Sequence, residues 1–169
     1  MGVAVTLTDE IKLAAQEHGL PWQLVYAICK VESSLNPWAR RPEPRYKWLY
    51  GDANVLSSFE VADQKRSWGL MQVMGAVARE YGFTGDLVEL CKIPTGLLYG
   101  CLHLRKYRSQ YTDWHDAIAA YNAGSPRRTQ DGRYTNHSYV EKVLREWNYL
   151  DPTIEPGSAL KPRSLENLK

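Results

Sequence analysis

Helical spacing of apolar residues recurs along most of this chain, and it limits the fold more than any other feature. Trp114, Ala117, Ile118 and Tyr121 stand at i, i+3, i+4 and i+7, and Gly124-Ser125-Pro126 breaks the run. Leu24, Ile28, Val31 and Leu35 repeat the pattern between Pro21 and Pro37. Ile11, Ala14 and Ala15 follow a capping-box spacing at Thr6 and Asp9, with Gly19 as a stop. A third helix is expected after Gly69, with Met74, Val77, Ala78 and Tyr81 on one face. Another opens at Pro94, with Leu97, Cys101 and Leu104 as a stripe that Leu98 and Leu102 widen. The last carries Val140, Val143, Leu144 and Trp147 behind a second capping-box spacing, Ser138 and Glu141. Residues 38–66 break the rule. They are rich in Pro, Arg, Tyr and Trp, and are expected as loop, with a short hairpin around Arg45–Leu56 and a helical turn near Phe59–Gln64. The expected fold is therefore mainly α with an α+β character: one helical domain over 1–150, with a small irregular or β lobe between the second and third helices. Pro, Ser, Gly and charge then mark 151–169 as a tail.

With 169 residues, one core suffices. The formal charge is only +2, and acids and bases are interspersed. That argues against a nucleic-acid partner, despite Arg127-Arg128 and Arg133. Six Trp and eleven Tyr against two Phe suit a core, and equally a sugar-stacking groove. Cys29, Cys91 and Cys101 cannot all pair within one chain and show no metal spacing, so they are expected as buried thiols. His18, His103, His115 and His137 show no ligand spacing and are read as surface or capping residues. No metal and no cofactor are expected. No apolar run is long enough for stable membrane insertion, and monomer is the default.

Glu32 is the first residue with chemical promise. It lies four residues after Ile28 and three before Leu35, on the edge of an apolar stripe. A carboxyl there loses solvent when the helix packs, and its pKa rises. Such a group can protonate a leaving oxygen near neutral pH. On spacing alone it could equally turn to solvent, or pair with Lys30 or Arg40.

Context adds to this. Glu32-Ser33-Ser34-Leu35-Asn36-Pro37 is followed by Gly69-Leu70-Met71-Gln72-Val73, by Ala120-Tyr121-Asn122-Ala123-Gly124, and by Tyr139-Val140. In that order, the set resembles the soluble-type lytic transglycosylases of glycoside hydrolase family 23, which also holds the goose-type lysozymes. The resemblance implies a lysozyme-like fold with the second helix buried beneath a groove, and peptidoglycan glycan strands as the substrate. It implies Glu32 as the catalytic residue, Gln72 and Met74 as substrate contacts, and Tyr121, Asn122 and Tyr139 around the carboxyl. Gln72 and Asn122 are expected to find their polar partners in a bound sugar. A serine before the GLMQ element holds an acetamido group in such enzymes. Ser67 is the candidate, with Ser57 and Ser58 as alternatives. The link from Asn36 to Ser67 is longer than the family usually shows.

The implied reaction uses one carboxyl. Glu32 protonates the oxygen between N-acetylmuramic acid and N-acetylglucosamine, then takes the proton of the C6 hydroxyl as that oxygen closes on C1. The product is a 1,6-anhydro end. Ordinary glycosidases need a second carboxyl. For a hydrolytic, goose-type muramidase the candidates are Glu60, Asp63 and Asp52. A non-catalytic wall-binding module is a third reading, which the presence of Glu32 disfavours. The first residues, MGVAVTLTDEIK, show no signal peptide. The expectation is a phage lysis enzyme made in the cytoplasm and acting on the periplasmic wall, through holin release or as a virion component.

Overall fold

The computed structural model describes residues 4–153, so all but the first three residues of the expected 151–169 tail lie outside the described residues. Among the described residues, seven α-helices alternate with short connections: α1 (Leu7–Glu17), α2 (Trp22–Ser33), α3 (Ser58–Gln64), α4 (Gly75–Glu80), α5 (Ile93–Gln110), α6 (Trp114–Ala123) and α7 (His137–Leu150). A 3-10 turn covers Leu87–Cys91. Three strands, β1 (Arg40–Pro42), β2 (Arg66–Trp68) and β3 (Val73–Met74), form an antiparallel sheet in the order β1-β2-β3. Arg40 faces Trp68, and Ser67 faces Met74. The small lobe thus sits between α2 and α4, as expected.

The helical core follows from the periodic positions. Leu24 and Ile28 of α2, Leu104 of α5, Ile118 of α6, and Val143 and Trp147 of α7 are all buried. The most extensive packing is that of α2 on α7, and α5 runs between α1 and α6. The α1 capping box forms as its spacing predicts: the Thr6 side chain accepts from the Asp9 backbone, and the Asp9 carboxylate accepts from the Thr6 backbone.

Several expectations fail, each for a local reason. The second helix stops at Ser33 rather than running to Pro37, because Ser34 and Leu35 turn left-handed at φ 54° and 64°. No hairpin forms over Arg45–Leu56. Instead the buried Gln64 side chain stands in for a neighbouring strand: its Oε1 accepts from the Tyr50 N–H at 2.7 Å, and its Nε2 donates to the Tyr50 carbonyl at 3.0 Å. The helix after Gly69 starts late, at Gly75, because Leu70–Gln72 forms a turn that feeds β3. Gly69 opens that turn at φ +73°, and a Cβ there would lie 2.3 Å from the Leu90 carbonyl oxygen, so no other residue fits. Leu98 faces solvent, which narrows the α5 stripe. Ser138 is already inside α7, whose N-cap is Asn136 with no side-chain capping bond. The three cysteines are buried free thiols.

Candidate active site

Glu32 occupies the last turn of α2, where helix and small lobe meet. Three side chains clamp that junction to the Leu70–Gln72 turn. The Ser33 hydroxyl lies 2.8 Å from the Leu70 carbonyl and 2.9 Å from the Cys29 carbonyl. The Tyr121 hydroxyl, on α6, donates to the Met71 carbonyl at 2.6 Å. Gln72 itself sits at φ 49°, a left-handed position uncommon for a residue with a side chain. Its amide holds the turn there: Nε2 donates to Gly69 and Ala39 carbonyls at 2.9 and 3.1 Å, and Oε1 accepts from the Ser67 hydroxyl at 2.9 Å.

These contacts shape a cleft of about 390 Å³. Glu32, Ser67, Gln72, Met74, Tyr121 and Asn122 all line it, so six residues proposed from sequence converge on one space. Of the serine candidates, only Ser67 is among the lining residues. Tyr139 joins from α7, with its hydroxyl buried and without a full hydrogen bond. It turns that hydroxyl toward Glu32, as Asn122 turns its amide. Asn136 orients Asn122, donating from Nδ2 to its Oδ1 at 3.0 Å and to the Ala119 carbonyl at 3.0 Å. The amide oxygen of Asn122 thus accepts from Asn136, which leaves its N–H groups to face the carboxyl.

Contrary to expectation, Gln72 and Asn122 do not depend on a bound sugar for polar partners. Gln72 is saturated by protein groups, and Asn122 is exposed to the cleft rather than to a dry interior. Gln72 shapes the wall of the cleft through its backbone turn.

Burial pushes the Glu32 carboxyl up to about 7 from an ordinary value near 4.5. Tyr139 opposes this most, followed by the positive charge of Arg41, while the Glu43 carboxylate adds to the rise. Arg41 and Glu43 line the same cleft and pair with each other at 2.6 Å. The cleft therefore holds one carboxyl that titrates near neutral pH and another that is paired with an arginine.

The three candidate second carboxylates lie elsewhere, and none lines the cleft. Glu60 is gripped by Arg79 at 2.8 and 3.0 Å, which holds it below the usual carboxylate range. Asp63 pairs with Arg66 at 3.3 Å. Asp52 closes its own turn on the Asn54 N–H at 2.9 Å. Their charges serve the insert's structure. Glu43 was missed because nothing in Pro42-Glu43-Pro44 marks it; only the β1–β2 pairing brings it to Glu32.

His103 is the other residue that sequence misplaced. It lines the cleft instead of the surface, its Nδ1 lies 3.0 Å from the Tyr81 hydroxyl, and burial lowers its pKa to about 4. It packs edge-on against the rings of Tyr81, Tyr107 and Tyr121, and so backs the site as a neutral ring.

A family model described as Transglycosylase SLT domain matches residues 9–143, a span that contains every residue of this cleft. No curated protein matches the chain.

Proposed function

The chain belongs to the transglycosylase SLT family, lytic transglycosylases that act on peptidoglycan, and from that premise we propose that Glu32 alone carries both proton transfers of strand cleavage. Peptidoglycan strands are the substrate and the reaction is a lyase reaction. On this reading the bond cut is the one between N-acetylmuramic acid C1 and the oxygen of N-acetylglucosamine. Glu32 gives its proton to that oxygen as the C1–O bond breaks. Positive charge gathers at C1 and is shared by the substrate's acetamido oxygen. The Glu32 carboxylate then removes the proton from the muramic C6 hydroxyl as its oxygen bonds to C1. No water enters, and Glu32 regains its starting proton.

The observation that supports this most is the state of Glu32: a carboxyl inside the cleft, whose pKa burial raises to about 7, so that both acid and base forms are available near neutral pH. Ser67, Met74, Tyr121, Asn122 and Tyr139 serve as the surrounding walls and donors. A second reading, hydrolysis by a muramidase, draws on Glu43, the other carboxylate in the cleft, as the group that would activate water. Its Oε1 is already engaged by Arg41 at 2.6 Å.

Digestion of purified peptidoglycan by wild type and Glu32→Gln, followed by mass spectrometry of the fragments, separates the two. Anhydro-muramyl ends from wild type, lost in the variant, are expected. Reducing muramic ends would sink the one-carboxyl scheme and direct attention to Glu43. The place of action on this reading is the bacterial wall, and loss of turbidity of permeabilised cells tests a lytic outcome.

A further inference from the structure

Asn136 stands at the N-cap of α7, where an asparagine ordinarily accepts a hydrogen bond from the backbone of the first turn. Here its side chain makes no such bond. It reaches across to α6 instead, where Nδ2 donates to the Ala119 carbonyl and to Asn122 Oδ1, each at 3.0 Å. Its own Oδ1 is buried without a partner. A forgone cap and an unsatisfied buried oxygen both cost stability, and the compensating gain lies on α6.

The Ala119 carbonyl fixes which way round the Asn136 amide lies. A backbone carbonyl only accepts, so the amino end of Asn136 must face it. The second N–H of the same nitrogen then meets Asn122, which must answer with its oxygen. Asn122 is left with its N–H groups toward Glu32. A direction set at a backbone carbonyl of α6 thus ends at the catalytic carboxyl. Neighbouring bonds hold Asn136 in place. The His137 N–H donates to the Tyr134 carbonyl at 3.0 Å, and the Tyr134 hydroxyl donates to Asp116 of α6 at 2.6 Å. The Arg128 guanidinium covers the Tyr134 ring at 4.1 Å.

That direction matters to the chemistry. N–H groups at Glu32 favour its carboxylate, the form that must take the C6 proton. An amide oxygen there would accept the Glu32 proton itself and hold it away from the glycosidic oxygen. We propose that Asn136 is a positioning residue for strand cleavage: by fixing the Asn122 amide with its N–H groups toward Glu32, it keeps the Glu32 proton free for the substrate. This rests on the reading that Glu32 carries the proton transfers. Asn136 is not among the residues that line the cleft, so it acts through Asn122.

The test uses the full chain with Asn136→Leu or Asn136→Ser. Leucine keeps the size and removes both donors. Serine suits an N-cap but is too short to span to α6. Whichever variant keeps the wild-type melt carries two readouts. The Glu32 carboxyl is titrated by carboxyl-carbon NMR, its signal assigned by its loss in Glu32→Gln, and kcat and KM are measured on soluble glycan strands. The Glu32 pKa is expected to rise, because its anion loses a donor. The other groups that face it stay in place: Tyr139, Arg41 and Glu43, with Tyr121 and Cys29 behind. A fall in kcat of about tenfold is expected, with KM changed by no more than about twofold. Asn122→Ala is expected to lose nothing further when the Asn136 change is added. A Glu32 titration that stays where it is, or the same loss repeated in the Asn122→Ala background, overturns the proposal. Wild type that leaves the strands uncut overturns the cleavage reading, while the titration still reads the amide.

Discussion

Whether the Glu32 proton is present decides whether the first bond can break. With burial setting its pKa near 7, the acid form dominates below that pH and vanishes tenfold per unit above it. The expected kcat/KM profile is therefore level below about pH 7 and falls on the alkaline side. Glu32→Gln should lose activity on the order of 10³-fold at every pH. Tyr139 is the sharper probe, because its hydroxyl is the strongest influence holding the Glu32 pKa down. Tyr139→Phe should move the alkaline limb to higher pH while lowering kcat about tenfold. An alkaline limb that stays in place would show that Tyr139 does not act on the carboxyl. At this scale the sequence was informative where a residue acts through its own neighbours. Glu32 sits on a stripe edge visible in Ile28 and Leu35, and burial follows from that. Glu43 and His103 acquire their places from distant partners, Glu43 through the β1–β2 pairing and His103 through Tyr81 just after α4, and no spacing announces them.

Among elements, the junction of α3, β3 and α4 is the tightest support of the site. A Cβ on Gly75 would lie 2.3 Å from the Asp63 carbonyl oxygen and 2.8 Å from the Gln64 Cα, backbone atoms that cannot swing aside. Gly75→Ala must push α4 from α3 and carry Met74 with it. A loss of about 3 kcal/mol in urea unfolding is expected, with a drop in turnover. Unchanged stability would mean that the junction has slack. Elements with a period and a cap were legible in advance: α1 with its Thr6–Asp9 box, and α6 with Gly124 at its end. Of the small lobe, its place and the helical turn near Phe59–Gln64, seen as α3, were legible; the rest was not, because its order comes from side chains reaching across loops. Gln64 completes the backbone of Tyr50, and Arg79 binds Glu60 as well as the carbonyls of Phe83 and Gly85. An apolar pattern carries no record of such bonds. The motifs themselves carried four of the cleft residues, Glu32, Gln72, Tyr121 and Asn122, at the end of α2, in the turn before β3 and at the end of α6.

For the whole molecule, the catalytic carboxyl is a stability liability. Its folded pKa lies above the unfolded value, so the folded state holds the proton more tightly. Stability is then full below about pH 4.5, declines as pH rises to about 7, and is flat beyond. The loss reaches up to about 3 kcal/mol, less whatever solvent in the cleft returns. Glu32→Gln should melt about 5–10 °C higher than wild type at pH 8, and at the same temperature near pH 4. Equal melts at pH 8 would place the carboxyl in better contact with water than its surroundings suggest. The three cysteines add a different property of the whole. Cys29 stands on the helix of Glu32, Cys101 on α5, and Cys91 at the end of the 3-10 turn, and burial keeps each thiol neutral and out of reach. An alkylating reagent reaches each only when its part of the core opens. The chain thus carries three natural clocks, whose modification rates time separately how often the catalytic helix, the central helix and the loop beneath the cleft breathe.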